Sequence, residues 1–310
     1  MLAYLGKSEL KAFVLDQLAQ HRKADKLVHG QYWEAGKGCA VGCTLEAVRL
    51  YNGAAHIDHG DHDLYGPLLG WPPVLAYLKD HIFEELDNDT AQAWPERFCG
   101  AIRVGADLSM AWPRFALWLL AEELPPHTAE YPRCAATLAG VAALYRQWIE
   151  GKKPIARRWQ SAATSAAASA IAAAIAAAAE GACDAACAAA AAACTAEAAC
   201  EADAACAAVY GSAYACDYAC AACPDAAARQ DCWRRMADKL IAIMESASCL
   251  RLSAGHSGDR TSAVLCRDST GPPVNASKAG LGLHAHRRPR SRADKYQEFP
   301  RRRLATSLKP

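Results

Sequence analysis

The residues of this 310-residue chain best suited to chemistry lie between positions 36 and 63. Gly36-Lys37-Gly38-Cys39-Ala40-Val41-Gly42-Cys43-Thr44 sets two thiols in a C-x3-C spacing among glycines. His56-x-x-His59-x-x-His62 follows, interleaved with Asp58, Asp61 and Asp63. Thiolates and imidazoles suit Zn²⁺, so Cys39, Cys43, His59 and His62 form a candidate tetrahedral metal set, with the aspartates as acceptors behind the imidazoles. A Cys–His nucleophile is the second chemistry. Cys43 would attack, and His62 or His59 would take its proton. The start of a helix at Cys43 would favour its thiolate through the helix dipole. The plain alternative is structural: two small buried thiols, a tight glycine loop and solvated histidines. That structural role is the expectation, with no cofactor, and zinc is kept as the alternative.

These residues must be positioned by helices. Ser8 can cap a first helix carrying Leu10, Phe13, Val14 and Leu18, which fades at His21-Arg22-Lys23. Residues 22–42 read as a loop. A short helix with Leu45, Val48 and Leu50 follows Cys43-Thr44 and stops at Asn52-Gly53. Residues 54–70 read as a polar loop. Pro72-Pro73 opens a helix with Val74, Leu75, Leu78, Ile82 and Leu86 at helical spacing. Asp87-Asn88-Asp89-Thr90 caps the next helix, which carries Trp94, Phe98 and Ile102. Asp107 or Ser109 caps one containing Phe115, Trp118, Leu119 and Leu120, and a further helix runs from about Tyr131 to Ile149. No alternating β-branched run interrupts this pattern, so the fold class expected is all-α.

Beyond residue 150 the composition changes. Residues 161–228 contain 38 alanines and no basic residue. Alanine is the best helix former, and one helix of that length would extend about 100 Å. Breaks at Gly181, Gly211-Ser212 and Pro224 predict an antiparallel array over 155–179, 183–209, 213–222 and 225–247. Its last member has an apolar face of Trp233, Met236, Leu240, Ile243 and Met244. Cys183, Cys187 and Cys194 share one helical face, as do Cys216, Cys220 and Cys223; burial in place of Ala explains them more simply than a metal surface. Residues 161–179 lack charge, but only Ile171 and Ile175 are strongly apolar, so a membrane span is not expected. The domains expected are therefore 1–150, 151–248 and a disordered basic tail, 249–310.

The formal net charge of +1 conceals segregation. Residues 250–310 hold 13 basic and 4 acidic residues, which leaves 21 basic and 29 acidic on residues 1–249. Arg287-Arg288-Pro289-Arg290-Ser291-Arg292 and Arg301-Arg302-Arg303 could neutralise nucleic-acid phosphates over 287–303 without sequence preference. Fifteen cysteines, an odd number, without a secretory pattern at the N-terminus point to reduced thiols in the cytoplasm.

Gln31-Tyr32-Trp33-Glu34-x-Gly36-x-Gly38-Cys39-Ala40-Val41-Gly42-Cys43-Thr44, His62-x-x-Tyr65-Gly66, Leu75-x-x-Leu78-x-Asp80-x-Ile82-Phe83-Glu84 and Trp94-Pro95-x-Arg97-Phe98 together resemble an uncharacterised family of bacterial and phage proteins. The resemblance spans about residues 25–247, includes Ile102-x-x-Gly105-Ala106-Asp107-Leu108-Ser109, and implies an all-α fold ending in Ala-rich helices. The Ala-rich half is similar in composition to segments of bacterial proteins named for an immunity role. The function expected is a non-catalytic protein-interaction module with a protein partner, of immunity or inhibitor type. The alternative is a zinc- or Cys-dependent enzyme centred on Cys43 and the His56–His62 loop.

Overall fold

Apolar residues at helical spacing are buried where the pattern asks for it. A computed structural model of the chain describes residues 1–180, 189–196, 215–223 and 225–249. These residues are all-α; the described part contains isolated β-bridges but no strand. The chain runs through α1 (Ser8–Lys23), α2 (Ala40–Tyr51), α3 (Tyr65–Leu69), α4 (Pro73–Glu85), α5 (Asn88–Ala101), α6 (Ala111–Trp118), α7 (Pro132–Ile149) and α8 (Ala156–Glu180). Helical segments 189–196 and 215–221 follow, and α9 (Ala226–Glu245) closes the described chain. No described helix is long and apolar enough to cross a membrane.

Local sequence explains most boundaries. Pro73 opens α4 with its φ already helical. Asp87 caps α5 by accepting from the Thr90 N–H, and Asp225 caps α9 by accepting from the Ala228 N–H. Four expectations are corrected. Ser8 is the first residue of α1 rather than its cap, which is Lys7. Helix α2 begins at Ala40, so Cys39 is its N-cap and Cys43 lies within it. The polar loop over 54–70 contains a 3₁₀ turn (His62–Leu64) and α3, because Tyr65 and Leu69 have an apolar core to enter. Asp107 accepts from the Ser109 N–H in a turn, and α6 starts later, behind Met110.

Helix α1 packs on α2 and α5, α2 on α4, and α9 on α4, α5 and α6; α7 bridges α6 to α8. One apolar cluster runs from Ala3 to Ala247 and so crosses residue 150. Its aromatic centres are Tyr4, Trp71, Trp94 and Phe98 on one side and Trp112, Tyr145, Trp148 and Trp159 on the other. The α9 face lies within it, with Trp233, Met236, Leu240 and Met244 all buried. Each such side chain contributes roughly 1.5–3 kcal/mol on burial, against about 0.8 for a methylene-sized group such as an alanine side chain. The loop at 103–107 ties both ends of the described chain: the Ala3 and Asp107 N–H groups donate to Ala106 and Ser248 carbonyls at 3.0 and 2.9 Å. The basic tail expected from residue 249 lies outside the described residues, apart from Cys249 at its start.

Candidate functional site

The glycines of the Cys39–Cys43 stretch are explained by close packing. The backbone of Tyr32 crosses the start of α2. A Cβ on Gly38 or Gly42 would come within 2.1 or 1.5 Å of the Tyr32 carbonyl oxygen. Only glycine permits such an approach. The Cys39 N–H donates to the Gln31 carbonyl at 2.8 Å, and the Val28 N–H to the Gly38 carbonyl at 3.0 Å. The loop is thereby pinned against the helix it leads into.

Cys39 is buried and faces α4. Its Sγ and one carboxylate oxygen each of Asp80 and Glu84 all lie within 4.8 Å of one another. Among the described residues these are the donors grouped closely enough to hold a metal ion. Asp80 and Glu84 are four apart, so one face of α4 presents both. Glu84 is half-buried and accepts from the Gly30 N–H at 2.8 Å. His62 Nε2 lies 3.3 Å from Asp80, and its Nδ1 is 3.0 Å from the Gly60 carbonyl oxygen. A carbonyl only accepts, so Nδ1 carries the proton and donates to it. The His62 ring stacks on Tyr77 at 3.9 Å and meets the edge of Tyr32. Burial pushes the Cys39 thiol well above its ordinary value, and the negative charge of Asp80 adds to this.

Cys43 has other surroundings. Its thiol donates to the Gly38 carbonyl at 3.3 Å. Burial pushes its pKa up to about 12, against the lowering effects of Lys79 and the Gly38 contact. The expected thiolate at a helix start is therefore corrected, because desolvation outweighs the dipole. Beside it, the fully buried Lys79 donates to the Ala40 carbonyl at 3.0 Å and to Thr44, and its ammonium lies over the rings of Tyr65 and Phe98.

The His loop is divided among partners. His59 Nε2 lies 2.9 Å from Glu46, whose carboxyl is held below its usual range chiefly by the Arg49 guanidinium. The His59 ring stacks on Trp33 at 5.3 Å. His56 is exposed. Of the four expected ligands, the structure brings Cys39 and His62 each to Asp80, engages His59 with Glu46, and turns Cys43 towards a backbone carbonyl. Sequence reading missed Asp80, Glu84 and Lys79 as site residues. The signal for Lys79 and Asp80 was three consecutive polar residues, Lys79-Asp80-His81, inside an apolar helix where all three are buried, and Glu84 follows Asp80 at i+4.

Above the buried donors, loops 31–34 and 56–63 form a surface. Tyr32 and Trp33 are half-buried there; Glu34, Asp58 and Asp63 are exposed, and Asp61 is partly so. Elsewhere, Cys216, Cys220, Cys223 and Cys232 are buried together. Cys232 sits within hydrogen-bonding reach of Cys220 and Cys223, and burial pushes the Cys220 and Cys223 thiols up. Cys183 and Cys187 lie outside the described residues. No family model, curated protein or solved structure matches the chain.

Proposed function

We propose that the chain is a cytoplasmic protein-interaction module, of the immunity or inhibitor type found in phage and mobile elements, that occludes its partner without covalent chemistry. The observation that carries this reading is that half-buried Tyr32 and Trp33 join loop 31–34 to loop 56–63 through His62 and His59, and that Glu34, Asp58 and Asp63 of these two loops are exposed. Two half-buried aromatic side chains are held by ring contacts: Trp33 stacked on His59, and Tyr32 edge-on to His62. Tyrosine and tryptophan dominate interface energetics, and ordered rings lose little entropy on binding. Four carboxylates in these two loops outnumber the neighbouring cations Lys37 and Arg49, so the partner of this face is a basic protein surface. The buried, protonated Cys43 supports binding over nucleophilic catalysis.

The test is capture from host extract on immobilised full-length chain, beside Trp33→Ala and an Asp58→Asn/Asp61→Asn/Asp63→Asn variant. The expected result is a discrete basic protein retained by the wild type, eluted by salt and lost from both variants. Absence of a stable partner, or retention unchanged in both variants, overturns the reading. The same columns separate this face from the basic tail. Duplex DNA bound through residues 287–303 is expected to be released by salt and lost on deletion of 250–310.

A further inference from the structure

We propose that Cys39, Asp80 and Glu84, completed by His62, bind one zinc-class divalent cation between the start of α2 and the body of α4. The group lies beneath the Tyr32–Trp33 face and does not depend on that face having a partner.

The first argument is electrostatic. Two carboxylates and a thiol lie within 4.8 Å of one another, with Cys39 and Asp80 buried. Ionised together they would place three like charges in a poorly solvated site, which is strongly unfavourable. A dication reduces that sum to −1 while leaving His62 neutral. The second argument is donor chemistry. A thiolate and an imidazole beside two carboxylates suit zinc, whereas Ca²⁺ and Mg²⁺ take six or more oxygen ligands.

The third argument is orientation. Ligating histidines almost always donate their other ring N–H to a carbonyl or carboxylate. His62 Nδ1 already does so to Gly60, which aims Nε2 at Asp80. Zinc bond lengths of about 2.0–2.3 Å place tetrahedral donors roughly 3.3–3.5 Å apart. The His62–Asp80 separation of 3.3 Å matches that spacing; Cys39, Asp80 and Glu84 close in from within 4.8 Å of one another, and His62, which stands outside that group, moves in beside Asp80 to complete it. Half-buried Glu84 gives the ion a route from solvent, and the Gly30 N–H steadies it. On binding, the Cys39 S–H bond breaks and its proton passes to buffer while zinc sheds water; no electron is transferred.

Titration of the metal-stripped full-length protein with Co²⁺, then Zn²⁺, tests this. One equivalent of Co²⁺ should give a thiolate-to-cobalt charge-transfer band and tetrahedral ligand-field bands, both abolished by one equivalent of Zn²⁺. Cys39→Ser should remove the charge-transfer band, and Glu84→Gln should weaken Zn²⁺ binding by about tenfold or more. Glu84 is half-buried, so its variant tests the site even if Cys39→Ser fails to fold. Cys43→Ser should leave the spectrum unchanged. Absence of the charge-transfer band in the wild type, or Zn²⁺ affinity unaltered in Glu84→Gln, overturns the proposal.

Discussion

Cys43 follows Cys39 by four residues, yet the two thiols meet different surroundings. Cys39 looks across to the carboxylates of α4, while Cys43 is closed in by the Gly38 carbonyl and the neighbourhood of Lys79. A thiol with its pKa near 12 is almost wholly protonated at neutral pH and is a poor nucleophile. Native protein treated with iodoacetamide at pH 7.5 should therefore leave the Cys43 peptide unmodified, with full labelling after denaturation in urea. Rapid native labelling of Cys43 would contradict this. The shift also has a stability consequence. The folded state keeps the Cys43 proton above pH 9, where the unfolded chain releases it. Stability should fall as pH rises from about 9 towards 12, by an amount on the order of 4 kcal/mol for this thiol alone. Denaturant midpoints measured over that range should decline less steeply in Cys43→Ser.

At the scale of elements, Asp87 links two helices. It caps α5 through the Thr90 N–H at 3.1 Å and receives Arg234 from α9 at 2.8 Å. The Arg234 bond, then those from Thr90, hold its carboxyl at about 2. Asp87→Ala should cost about 1–2 kcal/mol, read from urea unfolding, most of it from the lost cap. Asp87→Asn keeps a capping oxygen and loses an exposed ion pair, for a smaller cost of about 0.2–1 kcal/mol. A depressed carboxyl stabilises above its ordinary value and loses that effect as pH falls through the folded value. The wild type should accordingly lose more stability than Asp87→Asn between pH 4 and 2. Equal acid sensitivity would show that the Arg234 contact contributes nothing.

On the scale of the whole molecule, the Ala-rich region depends on a few large anchors. Trp159, near the start of α8, is buried against Tyr145 and Trp148 of α7, with ring centroids at 4.8 and 6.1 Å, and its Nε1 donates to the Pro154 carbonyl. The buried α8 residues beyond it are alanines such as Ala163 and Ala166, which contribute little apolar area. Trp159→Ala should destabilise by about 3–5 kcal/mol, with the helical CD signal melting at lower denaturant. A loss below about 1 kcal/mol would mean that α8 is anchored elsewhere. The face at Tyr32–Trp33 should keep its aromatic stacking in that variant, since its supports are His59, His62 and the start of α2.

The spacing of apolar residues and the Pro and Asp signals at helix starts determined the all-α class and most boundaries of α1, α4, α5, α7, α8 and α9, because helix formation is read from neighbours three and four residues away. The sequence also placed two thiols and three imidazoles within residues 36–63. It could not partition that chemistry. Cys39, Asp80 and Glu84 come together only when α2 packs on α4, His62 reaches Asp80 only through the turn before α3, and Gly38 and Gly42 acquire their reason only when the Tyr32 backbone crosses α2. Pattern showed the first turn of a helix at Cys43 and implied a thiolate. The tertiary structure decided against it, because desolvation depends on everything packed around a group, whereas the helix dipole depends on one helix alone.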